Sequence, residues 1–508
     1  MNHNIYDTEK IEYFGTVLSF RSVLSLPENI LLPLFSVSNS STIERAVEIL
    51  TEASKTADGR SDLASKNILP IVLQLCQNLS DPSASHLLLL SLKLLRNLCA
   101  GEVANQNLFI EQNGVGIVLA ALNPLSLASD SDYGIIRMGL QILANVSLAG
   151  EKHQRAIWHQ FFPCKFVEIA SVRRKETCDP LCMIIYTCCD GSHGLFAELC
   201  GDQGLPIMAD IVRTASAVGF GEDWLKLLLS KICLEENLLP QLFSKLWPAG
   251  ASENTEDIKF RDGVFVSEQA FLLNILSGIL NERIEDISIS NDFALYILGI
   301  LKQAVGVVDF VSRGKSGLPT GSVSIDVLGY SLTILRDICA SDGVGGFTED
   351  SVDVVDSLVS SGFLELLLCL LRELEPPTII RKAMKQDENQ EGTTSYSPKL
   401  CPYKGFRRDI VAVIGNCAYR RKHIQDEIRQ KNEILLLLQQ CVIDEDNPFL
   451  REWGIWSVRN LLEGNAENQR VVAELELQGS VDVPEIAGLG LRVEFDQRTR
   501  RAKLVNAL

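Results

Sequence analysis

A short motif returns four times in this chain with one internal spacing, and that restricts the folds open to it more than any other feature. Arg96-Asn97-Leu98-Cys99 is followed by Gln106, Ala144-Asn145-Val146-Ser147 by Gln154, Gly415-Asn416-Cys417-Ala418 by Gln425, and Arg459-Asn460-Leu461-Leu462 by Gln469. The Asn-to-Gln distance is nine residues each time. An aliphatic residue (Leu95, Leu143, Ile414, Val458) stands two before the Asn, and an apolar one (Ile110, Ile157, Ile428, Val472) three or four after the Gln. A degenerate fifth copy, 335–340, puts Asp337 where the Asn stood. Asn97 and Asn145 lie 48 residues apart and Asn416 and Asn460 lie 44 apart, close to the period of about 40–47 residues of helical repeat arrays. A unit of that size cannot bury its own apolar face, so units stack and share one core.

Around the fourth copy a period near 3.6 sets Ile455, Val458, Leu461 and Leu462 along one side of a helix, and Trp453, Trp456 and Asn460 along another. Gly464-Asn465 closes that helix, because both residues accept a left-handed turn. Asn460 stands among apolar neighbours, which is costly for an amide unless something bonds it.

At 508 residues the chain exceeds a single-core domain. Hydrophobic residues at 46% and charged residues at 22% describe a globular chain. A net charge of −18 argues against nucleic acid as a partner, since phosphates would be repelled. No run of about 18 apolar residues marks a membrane span, and residues 1–10 lack the basic-then-apolar order of a signal peptide. Most of the 14 cysteines, such as Cys99, Cys339 and Cys417, stand where a helix wants a small apolar residue. That is reduced-thiol usage, which predicts a cytoplasmic protein, with the nucleus as the alternative.

Organisation follows from where the motif holds. Helical repeats are expected over 1–245, then further repeats with loops over 246–377, where Pro376-Pro377 stops the last helix. Residues 378–403 are polar and read as a mobile linker. The two C-terminal repeats occupy 404–475, and 476–508 lose helical periodicity and read as an extended tail.

The Leu-x-Asn-Leu core with its downstream Gln resembles the armadillo-repeat superfamily. The C-terminal block is similar to the conserved domain of the ataxin-10 family, through Phe406-Arg407-Arg408-Asp409, Asn447-Pro448-Phe449, Glu452-Trp453 and Arg459–Asn465, with Val481-Asp482-Val483-Pro484 in the tail. The resemblance implies an all-α fold, an armadillo-like right-handed α-solenoid of stacked repeats with a partly extended C-terminal tail. It also implies a scaffold without enzymatic activity or cofactor, a cytoplasmic adaptor associated with cytokinesis, cell survival and cell-shape outgrowth. Its partners would be proteins, bound along a concave helical surface, with self-association left open.

The residues expected to bind protein are Asn97, Asn145, Asn416, Asn460, Trp453, Trp456, Arg407 and Arg408. Each Asn has two readings: its amide holds a partner's extended backbone, or it bonds neighbouring helices and tightens the stack. Trp456 lies one turn before Asn460, the pairing with which importin-like proteins clamp basic peptides. The other copies carry Lys93, Gln141 and Ala412 there, so an importin-like receptor is the alternative reading rather than the favoured one. Trp453 and Trp456 suit an interface centre or internal packing equally. Arg407, Arg408, Arg420, Arg421, Lys422 and His423 form a basic patch that suits an acidic segment or, the favoured reading, a solvated helix face. Cys178, Cys182, Cys188, Cys189, Cys200 and His193 lack a C-x-x-C pair, and Gly314-Lys315-Ser316 lacks the first Gly of a phosphate loop, so neither supports a metal or nucleotide site. No arrangement of nucleophile and base points to catalysis.

Overall fold

Helix follows helix through two alternating kinds of junction. The computed structural model describes residues 40–79, 82–122, 130–248, 265–283, 286–341, 353–381, 398–475, 491–496 and 501–506. Three-helix units run Ala57–Ser65, Ile68–Asn78, Ser85–Leu98, then Val103–Glu111, Gly114–Leu122, Asp130–Ser147, then Glu151–Phe161, Cys164–Ala170, Lys175–Cys189. Between the first and second helix stands an Asn with positive φ: Asn67 at 50° and Asn113 at 54°. Between the third helix and the next unit stands a Gly: Gly101 at 70°, Gly150 at 118°, Gly191 at 80°. Gly and Asn tolerate the left-handed conformation that turns a chain sharply out of a helix, so these residues set the repeat's corners.

The described chain forms two compact units, Met1–Val308 with Pro319–Ile338, and Asp309–Leu318 with Cys339–Leu508. In the first, the third helices pack in sequence: Ser40–Ala53 on Ser85–Leu98, that on Asp130–Ser147, that on Lys175–Cys189, and that on Asp223–Leu229. Leu92, Leu95, Leu98, Leu140, Leu143 and Val146 are wholly buried along this seam. The repeats thus share a core, as their size demands.

In the second unit Phe406–Ala418 packs on Leu450–Leu462, with Lys422–Gln430, Ile434–Leu438 and Ala466–Ala473 around them. The buried side of Leu450–Leu462 is Leu450, Gly454, Ser457, Asn460 and Leu461, while Ile455 is 54% exposed. The seam is built of small residues because the backbones nearly touch. In the contact with Phe406–Ala418, a Cβ on Gly415 would lie 2.3 Å from Ser457 Oγ; in the contact with the turn after Ile434–Leu438, one on Gly454 would lie 2.6 Å from Gln440 O. Gly464 makes the expected left-handed turn at φ 68°, but Asn465 is extended and caps the next helix by accepting from Asn468 N.

Residues 398–405 are laced into this unit. Lys399 N donates to Glu373 O (2.9 Å), Leu400 N to Phe310 O (2.7 Å), Lys404 N to Ser316 O (2.9 Å) and Gly405 N to Asp446 O (2.9 Å). Of the segment expected to be a linker, 382–397 lie outside the described residues. In the expected extended tail, the described part is an antiparallel hairpin of β1 (Leu491–Asp496) and β2 (Arg501–Asn506), with Leu491 opposite Asn506. Apart from that hairpin the fold is all-α among the described residues. Among the described residues no single helix is long and apolar enough to cross a membrane.

Candidate docking surface

The motif asparagines occupy one position on successive third helices, and their amides reach back. Asn145 Nδ2 donates to Arg96 O at 3.1 Å and Asn460 Nδ2 to Gly415 O at 3.0 Å. In both, the acceptor is the residue just before the preceding copy's Asn. Asn97 Nδ2 donates to Ser54 Oγ at 3.0 Å, and its Oδ1 accepts from Arg96 Nη2 at 2.8 Å. Asn416 is engaged too. Two alternatives stood open for this ladder, and the Nδ2 groups of Asn97, Asn145 and Asn460 are spent between helices. The oxygen differs: among the described residues Asn460 Oδ1 is buried with no donor, a cost carried by the packing of this helix.

The glutamines explain the nine-residue spacing. Gln106 Nε2 donates to Cys99 O (2.9 Å), Gln154 to Ser147 O (3.1 Å), Gln425 to Ala418 O (3.2 Å) and Gln469 to Leu462 O (2.8 Å). Each acceptor lies two residues after the motif Asn, among the last carbonyls of a helix that have no intrahelical donor. Two glutamines also reach forward: Gln106 Nε2 to Asn145 O (2.9 Å) and Gln425 Nε2 to Asn460 O (2.8 Å). The preceding Asn105 and Asn468 add donors to Leu98 O (2.8 Å) and Leu461 O (2.9 Å). The Asn-Gln dipeptides at 105–106 and 468–469 were the unused signal for them.

Trp456 is 53% exposed and Phe449 is 68% exposed. Arg459 stands over the Trp456 ring at 4.7 Å, a cation–π pair in solvent. Trp453 is half-buried one turn earlier. Arg408 is partly exposed and gives both Nε (2.9 Å) and Nη2 (2.7 Å) to Asp409 Oδ1. Arg407 is 2% exposed, with Nη1 on Gln440 Oε1 (3.1 Å) and Nη2 on Glu375 O. Burial holds its pKa below the usual guanidinium value. A basic run in sequence therefore divides by geometry: Arg407 is enclosed, and Arg421 is bonded to Asp353 (2.8 Å). Helix periodicity cannot see this, because the acceptors come from 32 or more residues away.

The cysteine cluster of the first unit sits in apolar packing. Burial pushes the thiols of Cys178 and Cys188 up to about 12. No group of three or more metal-ligating side chains occurs among the described residues.

Residues 406–504 match the family model described as the spinocerebellar ataxia type 10 protein domain. Ataxin-10 of Bos taurus is 25% identical over 475 residues, covering 88% of this chain and 91% of the relative. The chain is ataxin-10-like. Ataxin-10 of Homo sapiens is 26% identical over 436 residues, 82% of each chain. An ataxin-10 homolog of Dictyostelium discoideum is 38% identical over 90 residues, 18% of this chain and 15% of that one. A designed armadillo repeat protein in complex with the peptide (KR)4 overlaps 49% of this chain and 99% of its own, at 14% identity and a TM-score of 0.33. The ataxin-10-type block thus contains Trp453, Trp456, Asn460, Asn416, Arg407 and Arg408, while Asn97 and Asn145 lie in the first unit.

Proposed function

We propose that this ataxin-10-like chain is a non-enzymatic scaffold that docks protein segments on the exposed face of its third helices, with Trp456 as an anchor. The single observation that carries this reading is the Trp456–Arg459 pair, a large aromatic half in solvent with a guanidinium over its ring. Aromatic residues and Arg dominate the energetic centres of interfaces. Burying such a ring drives association, and amides and charges fix register. Trp453 and Arg408 flank the same docking face in this reading. Cytoplasmic residence and service in cytokinesis and cell survival belong to the proposal through the ataxin-10 likeness. Importin-like carriage of basic cargo is less favoured, since only one copy has Trp at the turn before its Asn.

Trp456→Ala separates docking from folding. Its ring is largely in solvent, so stability should change by no more than about 0.5 kcal/mol. Proteins crosslinked to the intact chain in cells should be lost from the variant, as read by quantitative mass spectrometry. An unchanged set of crosslinked proteins, with an unchanged melting curve, removes Trp456 from the site.

A further inference from the structure

Two thiols of the second unit meet in its core. Cys339 stands in the last turn of Val323–Ser341 and Cys417 in the last turn of Phe406–Ala418, and the second unit contains both. Cys417 Sγ lies 3.6 Å from Cys339 Sγ, although 78 residues separate them along the chain. Cys417 is 0% exposed and Cys339 is 2% exposed. Cys339 is the second residue after Asp337 of the degenerate copy, and Cys417 is the first after Asn416. The corresponding places hold Cys99 and Val146 in the first two copies, and Ala418 and Leu461 in the last two, all buried. Packing at these places asks only for an apolar side chain, so two sulfurs in contact exceed what packing needs.

A disulfide is about 2.05 Å long, so the sulfurs need to approach by about 1.5 Å, a movement within the range of side-chain torsions. The bond would join residues 78 apart, and closing so long a loop removes much of the entropy of the unfolded chain. Cys417 also lies two residues after Gly415, whose carbonyl accepts the Asn460 amide at 3.0 Å. Tying Cys417 down therefore steadies Phe406–Ala418, the helix on which Leu450–Leu462 packs.

We propose that Cys339 and Cys417 are an oxidisable dithiol, which a peroxide converts into a disulfide that staples the first helix of the ataxin-10-type block to residue 339. One thiol loses its proton and its sulfur attacks a peroxide oxygen, breaking the O–O bond to give a sulfenic acid and hydroxide. The hydroxide takes up the released proton as water. The second sulfur then displaces the sulfenic hydroxyl, which leaves with that thiol's proton as a second water. Two thiols and one hydrogen peroxide give one disulfide and two waters: the sulfur pair loses two electrons and the peroxide gains them. Two molecules of a thiol reductant reverse the step by exchange. Both sulfurs are enclosed, so reaction follows local opening of the helix ends and is slower than at the exposed Cys164. The pair shares no residue with the Trp456 face, and its test is independent of the docking reading.

The test treats the folded full chain with hydrogen peroxide, blocks remaining thiols with N-ethylmaleimide in urea, and maps the unreduced digest by mass spectrometry. A cross-linked pair of peptides carrying Cys339 and Cys417 should appear, two hydrogens lighter than their sum, and dithiothreitol should abolish it. The oxidised parent should melt about 5 °C or more above the reduced parent. Cys339→Ala and Cys417→Ala should each lose both the cross-link and that rise. The mapping needs only the parent chain, so it decides the matter even where a variant folds poorly. Recovery of both residues as separate blocked thiols, under conditions that oxidise Cys164, overturns the proposal. A cross-link that forms only when the chain is first unfolded in urea overturns it too. A cross-link in the folded chain without a rise in melting temperature removes the stapling role.

Discussion

Replacing Gly454 by Ala should destabilise the C-terminal unit by about 1–3 kcal/mol, the cost of inserting a methyl group into a filled contact. The added carbon would meet Gln440 O at 2.6 Å, Gln440 C at 2.7 Å and Cys441 N at 2.9 Å. All three are backbone atoms, so no rotamer change gives relief. That backbone is itself held, since Gln440 N donates to Leu437 O (3.0 Å) and Cys441 N to Leu438 O (3.1 Å). Hydrogen exchange should quicken in Leu450–Leu462 and in the stretch from Ile434–Leu438 through Cys441, the segments whose contact is forced apart. Gly278→Ala is the control with the opposite sign. Gly278 lies inside the helix Ser267–Arg283 with nothing within 4 Å of the new carbon. Ala there should stabilise by about 0.5–1 kcal/mol through helix propensity alone. If Gly454→Ala unfolds in urea as the parent does, the close approach of these segments is not what it is described to be.

Gln425→Ala should cost about 2–3 kcal/mol, because one buried side chain serves several carbonyls. Its Nε2 reaches Ala418 O (3.2 Å), Asn460 O (2.8 Å) and Glu463 O (3.3 Å), and its Oε1 accepts from Asn465 Nδ2 (3.2 Å). The residue is 1% exposed, so water cannot replace the lost donors without entering the stack. Gln469→Ala is the matched comparison. Gln469 holds the same place in its own copy, but its bond to Leu462 O is exposed to solvent, so its loss should cost only about 0.5 kcal/mol. Denaturant midpoints of the two variants report the difference. Equal losses would mean that the forward bond of Gln425 to Asn460 carries nothing.

These two variants show where sequence reading succeeds and stops. The Asn-to-Gln interval was legible because the Gln bond closes within one helix-turn-helix over seven residues, onto the carbonyl two residues after the Asn. The side of Leu450–Leu462 that packs was not legible in the same way. A hydrophobic count favours Ile455 with Leu461, whereas the contact needs small residues, Gly454 and Ser457, which register as neutral. Arg407 looked like surface charge until Gln440 and the Glu375 carbonyl came round it from distant sequence. The hairpin alternates apolar and charged residues in Leu491–Asp496, a period-2 signal in a stretch read only as non-helical.

The amide bonds between repeats all have a sense of direction. Asparagine gives its proton to the module behind, as Asn145 does to Arg96 O, and glutamine gives one to the module ahead, as Gln106 does to Asn145 O. Opposite ends of such a row are therefore chemically unlike. Trimming from the carboxyl side strands a forward donor, while trimming from the amino side strands a backward one. Nested deletions from the two directions should accordingly shed cohesion in different increments, so that the array has a head and a tail in its energetics as well as in its sequence.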